Sequence, residues 1–393
     1  MNRLQPLLIA GGGIGGLAAA WRCAAAGVPV ELIERAPVVS EVGAGIQIGP
    51  NVTRLLAAWG LDNALKEVAA FPSSLQLRQA HSGASTGQLQ LGAQAVARYG
   101  APYATLHRAD LHALFLNALQ TQGQVPVHLN RTFQSYTELA DGLTVRDEEG
   151  GSLIASALVG ADGLWSRVRA RLLDDGPPRF TGHLAYRALV VQADLPPTLR
   201  TQNITVWMGP RLHVVQYPVR RGELLNLVVV VHGAAPAQLE TWDHAANTAD
   251  LQRALGHVCT PLRALIDAVP AWRLWPLCDR VPVSGAHQLA QGRVALLGDA
   301  GHPMRPYLAQ GAGMAIEDAD ALAHSLALPG KDVAPKLARY AQTRWQRNAR
   351  VQSRALRNGQ IFHATGLVRW GRDFSTRLLG EGLLDMPWLY QGS

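Results

Sequence analysis

Cysteine, long apolar runs and blocks of like charge are all scarce in this sequence. Three cysteines, Cys23, Cys259 and Cys278, occur among 393 residues, and they have neither CxxC nor metal-ligand spacing. This usage is typical of reduced thiols in a cytoplasmic protein and argues against a disulfide framework or a metal site. No apolar run is long enough to span a bilayer, and "MNRLQPLLIAGGGIGG" lacks a signal-peptide pattern. We therefore expect a cytoplasmic protein without stable membrane insertion.

Charge gives a similarly limited signal. Lys and Arg number 36 against 29 for Asp and Glu, a net charge of +7, but no block rich in Lys and Arg over about five to eight residues occurs. Scattered basic residues argue against a nucleic-acid partner. A modest positive field can still steer a small carboxylate toward a site.

The N-terminal segment predicts a β-α-β unit with a glycine-rich turn. An apolar strand precedes "GGGIGG", an alanine-rich helix follows, and "VPVELIER" is a second strand. The spacing Gly11-x-Gly13-x-x-Gly16 permits a tight turn and close approach of a pyrophosphate to the helix N-terminus. Glu34 ends the second strand, where a carboxylate can accept hydrogen bonds from ribose hydroxyls. Together these features predict dinucleotide binding.

Two further motifs extend this pattern. "GADGLWSRVR" (160–169) and "LLGDAGHPMRP" (296–306) follow the glycine motif in order. The three together resemble the flavoprotein aromatic hydroxylases, the class A FAD-dependent monooxygenases. The resemblance implies tightly but non-covalently bound FAD, NADH or NADPH as co-substrate, and O2. It also implies ring hydroxylation through a flavin C4a-hydroperoxide, with no metal.

The resemblance also implies a mixed α/β fold. From about residue 180 to residue 280, alternating runs such as "LHVVQYPV" indicate antiparallel strands, and dinucleotide-type sequence then returns. We expect a Rossmann-like FAD-binding domain interrupted by an antiparallel-sheet substrate domain, with a helical C-terminal region. The expected limits are 1–70, 100–178 and 281–330 for the first domain, 71–99 and 179–280 for the second, and 331–393 for the C-terminal region.

The family pattern implies a set of cofactor-binding residues along the whole chain. Asp162 and Asp299 match the second and third motifs, Arg108 matches an arginine near the FAD linker, and the loop 43–51 matches one that passes over the isoalloxazine ring. A turn-forming role for Asp162 and a solvated position for Arg108 remain open. The complete set is Gly11, Gly13, Gly15, Gly16, Glu34, Arg35, Gly45, Arg108, Asp162, Asp299, Gly311, Ala312 and Gly313.

Longer matches narrow the resemblance to one branch. "EVGAGIQIGPN", "LHVVQYP" and "HPMRPYLAQGAGMAIEDA" resemble the branch of 3-hydroxybenzoate 6-hydroxylase, salicylate 1-monooxygenase and 6-hydroxynicotinate 3-monooxygenase. His213 and Tyr217 lie four residues apart on a predicted strand, so both face one side. By resemblance they line the aromatic pocket, and a His213 imidazole with a pKa near neutrality assists deprotonation of the phenol. A core histidine and a sheet tyrosine remain the alternative.

Two pocket positions leave the substrate open. The resemblance places Gln47 and Pro306 in the substrate pocket, but the 3-hydroxybenzoate 6-hydroxylase pattern has Gln at position 306, and the hydroxynicotinate pattern has His at position 47. The best expectation is conversion of 3-hydroxybenzoate to gentisate by a homodimer, with salicylate or 6-hydroxynicotinate as alternative substrates. A flavin-dependent halogenase or oxidase and a dinucleotide-responsive binding protein are the other classes. No Trp-x-Trp-x-Ile-Pro halogenase signature occurs, and we expect "WRLWPL" (272–277) to pack in the core.

We expect structural roles for several other charged and aromatic residues. We expect Arg305 to point outward as a solvated cation rather than toward a substrate carboxylate, and His302 to be structural. Glu317 and Asp318 are expected to complement the dipole of their helix or to lie on the surface. The C-terminal aromatic residues are expected in the core by default: Trp370, Phe374, Trp388 and Tyr390.

Overall fold

A computed structural model describes residues 5–39, 44–123, 125–240 and 244–392. The chain forms two compact units. The first comprises Met1–Glu41, Leu111–Arg179 and Asp279–Ala355, and the second comprises Val42–Asp110, Phe180–Cys278 and Leu356–Ser393. The loop expected over the isoalloxazine ring begins at Gly43, which lies outside the described residues. The domain limits expected from the sequence stay a prediction.

The strands follow one another in chain order. They are β1 (Leu7–Ala10), β2 (Val30–Glu34), β3 (Gly45–Ile48), β4 (Ser74–Gln79), β5 (Ser85–Gln90), β6 (Ala104–His107), β7 (Val127–Leu129), β8 (Phe133–Leu139), β9 (Gly142–Asp147), β10 (Ser152–Ala155), β11 (Ala157–Gly160), β12 (Arg179–Val191), β13 (Ile204–Gly209), β14 (Leu212–Val219), β15 (Leu224–His232), β16 (His244–Ala245), β17 (Arg273–Asp279), β18 (Ala290–Gln291) and β19 (Val294–Leu296).

The helices are concentrated toward the C-terminal end. They are α1 (Ile14–Ala25), α2 (Pro50–Ala58), α3 (Asp62–Val68), α4 (Gly92–Tyr99), α5 (Arg108–Gln122), α6 (Arg167–Leu173), α7 (Thr248–Leu255), α8 (Thr260–Asp267), α9 (Gly311–Leu326), α10 (Ala334–Phe362), α11 (Gly366–Leu379), α12 (Glu381–Leu384) and α13 (Pro387–Tyr390). None of the described helices is long and apolar enough to cross a membrane.

The first unit contains a six-stranded sheet in the order β18-β19-β11-β1-β2-β7. The strands from β19 to β7 are parallel, and β18 is an antiparallel edge. All four residues of β1 are buried, as expected for a central strand covered on both faces. A separate antiparallel sheet, β10-β9-β8, belongs to the same unit. The carboxyl ends of β1, β2 and β19 carry the glycine motif, Glu34 and the Gly298-Asp299 motif.

The second unit contains an eight-stranded sheet in the order β16-β17-β12-β15-β14-β13-β4-β5. One face packs on an apolar cluster that includes Val214, Leu227 and Val229 and residues of α8 such as Leu262 and Leu265. Side chains alternate along each strand, so the neighbouring positions face the other way. That opposite face carries His213 and Tyr217.

The expectation of a mixed α/β fold with a helical C-terminal region is confirmed. The three cysteines are buried thiols, and Trp272 and Trp275 of "WRLWPL" are buried as expected. The default placement of the C-terminal aromatic residues is wrong for two of them. Trp370 and Phe374 on α11 are 71% and 67% exposed, whereas Tyr390 is buried and Trp388 is half-buried.

Candidate active site

The glycine turn between β1 and α1 depends on close backbone contacts. Gly11 has φ +113°, a region that favours glycine, and a Cβ there would lie 2.4 Å from the carbonyl oxygen of Ala161. A Cβ at Gly16 would lie 1.9 Å from the carbonyl oxygen of Gly11, and one at Gly15 would lie 2.8 Å from Leu297. Gly11, Gly15 and Gly16 are therefore required by the protein's own packing.

Gly13 differs from its neighbours in the motif. A Cβ there would meet no atom of the described residues within 4 Å, and its φ of −72° and ψ of 179° suit any residue. Gly13 caps the N-terminus of α1, where no described side chain accepts a hydrogen bond from the helix. The open space and the uncapped helix end fit a pyrophosphate, which needs close approach and N–H donors. This is the feature that a bound dinucleotide explains and internal packing does not.

Glu34 holds the end of β2 against the glycine turn. Its Oε2 accepts a hydrogen bond from the N–H of Gly12 at 2.6 Å, and its Oε1 accepts one from Ala36 at 2.8 Å. The carboxylate is half-buried, and the neighbouring Arg35 is exposed. The structure thus brings Glu34 to the glycine turn, as dinucleotide binding requires.

Asp162 is engaged by its own polypeptide. Its carboxylate accepts hydrogen bonds from Ser166 Oγ at 2.6 Å and from the N–H groups of Arg167 at 2.8 Å and Val168 at 3.2 Å. Burial raises the pKa of Asp162, and these hydrogen bonds lower it in part. The geometry accounts for Asp162 as the residue that orders the start of α6. A direct cofactor contact stays a prediction.

Asp299 and the start of α9 are neighbours. Asp299 lies in a 3₁₀ turn, Gly298–Ala300, directly after β19. A Cβ at Gly311 would lie 3.9 Å from Asp299 Oδ1. Gly311 and Ala312 are half-buried, Gly313 is buried, and the side chain of the N-cap residue, Gln310, does not cap α9. The Asp299 carboxylate and the N-terminus of α9 form a second polar region of the first unit.

Glu317 and Asp318 form a buried ion network, so the expectation of surface charges is wrong. Arg344 donates from Nε to Asp318 Oδ1 at 2.7 Å and from Nη1 to Glu317 Oε2 at 2.9 Å, and none of its side chain is exposed. His302 is fully buried and pairs with Asp318, in keeping with a structural role. Burial alone would raise the pKa of Asp318, but the charges of His302 and Arg344 hold it well below its usual range. The network ties α9 to α10 behind the loop of residues 298–313.

The expectation for Arg305 is also wrong. Its Nε donates to Asp279 Oδ2 at 2.7 Å, and only 20% of its side chain is exposed. Asp279 is buried, so Arg305 neutralises a carboxylate that burial would otherwise destabilise. Arg305 is therefore neither a solvated cation nor a free partner for a substrate carboxylate. Pro306 begins a 3₁₀ turn, Pro306–Leu308, and is exposed.

In the second unit, the strand pair β3–β6 lies against β14 and β15. The N–H of Gly45 donates to Asn226 Oδ1 at 2.7 Å, and a Cβ at Gly45 would lie 2.6 Å from Tyr217 Cε2. Tyr103 donates to Gln47 Oε1 at 2.9 Å, and Tyr217 is also hydrogen-bonded to Gln47. The structure therefore brings together three of the expected site residues, Gly45, Gln47 and Tyr217. Burial raises the pKa of Tyr217 well above its usual value.

His213 lies on the same face of β14 as Tyr217. The register pairs His213 with Val230 and Tyr217 with Asn226 on β15. The expectation of a pKa near neutrality is wrong, because burial, and then the nearby His183, lower the pKa of His213 to about 3. His213 is 3% exposed and is neutral at physiological pH. A neutral imidazole can still accept a proton, but it cannot retain it in this environment.

Two buried donors on this face have no partner. Arg187 pairs in register with Val228, and its Nε has no hydrogen-bond partner among the described residues. The same holds for Asn226 Nδ2, whose amide orientation is fixed by the bond from Gly45 to its Oδ1. Leaving such groups buried and unsatisfied costs about 1–3 kcal/mol each, so they point to an acceptor supplied by a ligand.

Positive charge accompanies these donors. The guanidinium of Arg187 lies 3.9 Å above the ring of Trp275. Burial, opposed in part by Tyr217 and assisted by the charge of Arg108, lowers the pKa of Arg187 to about 10. Arg187 therefore stays protonated near neutral pH, and the influence of Arg108 shows that a second cation faces the same region. The positive potential favours an anionic ligand.

Comparison with known proteins identifies this arrangement. The FAD binding domain family matches residues 5–355 of the chain. The chain belongs to this family. A 3-hydroxybenzoate 6-hydroxylase from Polaromonas naphthalenivorans is 37% identical over 388 residues, which cover 98% of this chain and 95% of the relative.

Two further proteins are similar to the chain over most of its length. A 6-hydroxynicotinate 3-monooxygenase from Bordetella bronchiseptica is 34% identical over 354 residues, covering 88% of this chain and 89% of that protein. The solved structure of a salicylate hydroxylase substrate complex superimposes with a TM-score of 0.84 at 25% identity, covering 100% of this chain and 97% of the other. The expected relationship to the flavoprotein aromatic hydroxylases is confirmed, and so are FAD as cofactor and an FAD-dependent aromatic monooxygenase as enzyme class.

Several residues of the second unit were not predicted from the sequence. Arg187 gave one local signal, a charged residue inside the apolar run "AYRALVV". Asn226 likewise interrupts "LLNLVVVV". Tyr103 gave none, because its contact with Gln47 joins residues 56 positions apart.

Proposed function

We propose that the protein is an NAD(P)H-dependent FAD monooxygenase that hydroxylates 3-hydroxybenzoate at C6 to give gentisate. The observation that carries the substrate class is the pair of buried, unpartnered donors, Arg187 Nε and Asn226 Nδ2, beside Tyr217. A small aromatic acid supplies the acceptor that these donors lack. The 3-hydroxybenzoate 6-hydroxylase that matches 98% of the chain supports this particular acid.

In this proposal the first unit holds the cofactor. The diphosphate takes the open space at Gly13 and the N-terminus of α1, and Glu34 accepts hydrogen bonds from a ribose. Asp299 and the N-terminus of α9, from Gly311 to Gly313, contact the flavin part. Bound FAD supplies the redox chemistry, in which electrons from NAD(P)H reduce O2 and one oxygen atom enters the ring. The positive end of the α9 dipole stabilises negative charge nearby.

The aromatic acid binds through charge and shape. Arg187, with Arg108 nearby, attracts the carboxylate, and Tyr217 and Gln47 orient the ring by hydrogen bonding and contact. Burial strengthens these interactions because water is excluded. The same burial disfavours ligands that leave the donors unsatisfied.

His213 accepts the phenol proton. A phenolate places more electron density on the ring carbon that receives oxygen, so deprotonation speeds the attack. The low pKa of His213 makes it a transient proton acceptor, and the proton must move on. Tyr217 has too high a pKa to serve as a base and acts as a donor.

Salicylate and 6-hydroxynicotinate are the alternative substrates, and one panel of reactions decides among the three. The FAD-loaded enzyme is incubated with NADH and each acid separately, and products are identified by mass spectrometry and NMR. The proposal predicts that 3-hydroxybenzoate gives gentisate in proportion to the NADH consumed. Decarboxylation of salicylate, or hydroxylation of 6-hydroxynicotinate as the only productive reaction, would assign the other activity.

The same panel separates the other classes. A halogenase needs halide for turnover, and a dinucleotide-responsive binding protein leaves every acid unchanged. A matched pair of variants tests whether His213 is the base. His213→Gln should lower kcat by about 100-fold as expected for loss of a positioned base. Val191→Ala, at the exposed end of β12, should retain most of the activity.

We also propose a homodimer. Trp370 and Phe374 are exposed and lie four residues apart on α11, so they form one apolar strip. Light scattering should give twice the mass of the chain for the wild type, and a Trp370→Ser, Phe374→Ser variant should be a monomer at micromolar concentration. A monomeric wild type contradicts the proposal. The cytoplasmic location stays a prediction, testable by cell fractionation.

A further inference from the structure

Three histidines of the second unit form a continuous hydrogen-bonded chain. His213 Nδ1 lies 2.7 Å from His363 Nε2, and His363 Nδ1 lies 3.0 Å from His232 Nε2. His213 is on β14, His232 ends β15, and His363 directly follows α10. Each imidazole has two nitrogens, so the central ring can accept a proton on one side and donate one on the other.

The chain runs from the buried face to the surface. His213 is 3% exposed and His363 is 7% exposed, whereas His232 is exposed. His183 packs against His232 and His363, Phe362 contacts the ring of His213, and the charge of Arg211 acts on His232. The chain therefore joins the proposed base to an imidazole that is exposed to solvent.

The tautomers of the three rings set the direction of transfer. With protons on His213 Nδ1, His363 Nδ1 and His232 Nδ1, the hydrogen bonds run outward and His213 Nε2 carries no proton, so it can accept one. A phenol proton taken up at Nε2 then moves each Nδ1 proton one step along, and His232 Nδ1–H gives a proton to water. Return of one proton to the hydroxylated product reverses every tautomer and restores the starting state.

We propose that His363 and His232 relay the phenol proton from His213 to solvent, so that the buried base never has to retain it. This inference rests on the proposed function, since it takes His213 as the base for a phenolic acid. The low pKa of His213 agrees with it, because a proton cannot reside there near neutral pH. His363 and His232 are positioning and transfer residues, not groups that touch the substrate.

His183 provides a matched control. Its ring centroid lies 4.4 Å from that of His232 and 4.8 Å from that of His363, and the path from His213 through His363 to His232 is continuous without it. A metal ion held by this cluster would use His183, His232 and His363, whose ligand atoms lie within 4.8 Å of one another. A relay needs His363 and His232 but not His183, so the two explanations predict different variants to fail.

The experiment measures proton release when the oxidised, FAD-loaded enzyme binds 3-hydroxybenzoate. The protein is mixed with the acid in weak buffer near pH 7.5 in a stopped-flow instrument, with a pH indicator and with phenolate absorbance as a second signal. Variants are His363→Gln, His363→Phe, His232→Ala and His183→Phe, each checked for FAD content and melting temperature. Glutamine at 363 keeps a donor and an acceptor but cannot pass a proton between two nitrogens.

The relay predicts one proton released per site by the wild type and a rate about tenfold or more slower in both His363 variants. His232→Ala should be slowed similarly and be rescued by added imidazole, which reaches the exposed end of the chain. His183→Phe should retain the wild-type rate. Wild-type rates in the His363 variants, equal slowing by His183→Phe, or hydroxylation without proton release would each overturn the relay. Absence of hydroxylation with all three acids would instead reject the proposed function.

Discussion

Replacing Gly13 with alanine separates cofactor binding from folding. The new Cβ meets no described atom within 4 Å, and the backbone at Gly13 is already in an extended conformation. Alanine is a poorer N-cap than glycine but reduces the freedom of the unfolded chain, so the free energy of unfolding of the apoprotein should change by less than about 1 kcal/mol. The methyl group instead occupies the open space that we assign to the diphosphate.

The expected loss falls on FAD affinity. A hydrogen bond to a charged group contributes about 1.5–3 kcal/mol, so displacing one phosphate oxygen should raise the Kd about 10- to 150-fold. Fluorescence titration of apoprotein with FAD measures the Kd, and thermal unfolding measures the apoprotein. Gly16→Ala is the control, because its Cβ would lie 1.9 Å from the carbonyl oxygen of Gly11 and should destabilise the apoprotein itself. Gly13→Ala with unchanged FAD affinity, or with a melting loss equal to that of Gly16→Ala, would refute the reasoning.

Three further predictions concern buried charge. His213→Phe should make the free energy of unfolding less dependent on pH below neutrality. The pKa of His213 is about 3 in the folded protein and about 6.5 in the unfolded chain, so the wild type loses about 1.4 kcal/mol per pH unit as the pH falls between these values. Urea unfolding of both proteins at pH 7 and pH 5 measures the difference. Arg344→Met should cost up to about 3–5 kcal/mol, since it removes the buried cation that Glu317 and Asp318 share and leaves them only Arg347 and His302 as charged partners. Arg253→Met, at an exposed pair, should cost at most about 1 kcal/mol in the same assay. Arg187→Met should weaken binding of 3-hydroxybenzoate about tenfold or more while leaving the neutral 3-hydroxybenzamide unchanged, as followed by perturbation of the flavin absorbance.

Most of the structure that could be predicted follows from short-range sequence patterns. The turn at Gly11, the strand ending in Glu34 and the strand–turn–helix around Asp299 are short-range features, and each was expected from residues within about 30 positions. The alternation of side-chain types likewise predicted the antiparallel strands in the region of β12 to β15. The same alternation placed His213 and Tyr217 on one face. The family resemblance added FAD and the aromatic monooxygenase class, which periodicity alone does not supply.

Long-range pairing accounts for what was missed. In the sequence Asp318 looks like an acidic residue in the first turns of a helix. Only folding brings Arg344 of the next helix within reach, as its hydrogen bond to Asp318 at 2.7 Å shows. Arg305 finds Asp279 in the same way. His363 lies 150 residues from His213 in the sequence, so no local motif links them. The pKa of His213 was misjudged because burial, which sets it, is a property of the assembled sheet.

Transfer of an oxygen atom from O2 to 3-hydroxybenzoate can be followed with an isotope. The FAD-loaded enzyme turns over 3-hydroxybenzoate with NADH under ¹⁸O₂, and the product is identified by NMR and mass spectrometry. We expect gentisate carrying one ¹⁸O atom, formed in proportion to the NADH oxidised. Oxidation of NADH with 3-hydroxybenzoate recovered intact, or a hydroxylated product without ¹⁸O, would contradict it.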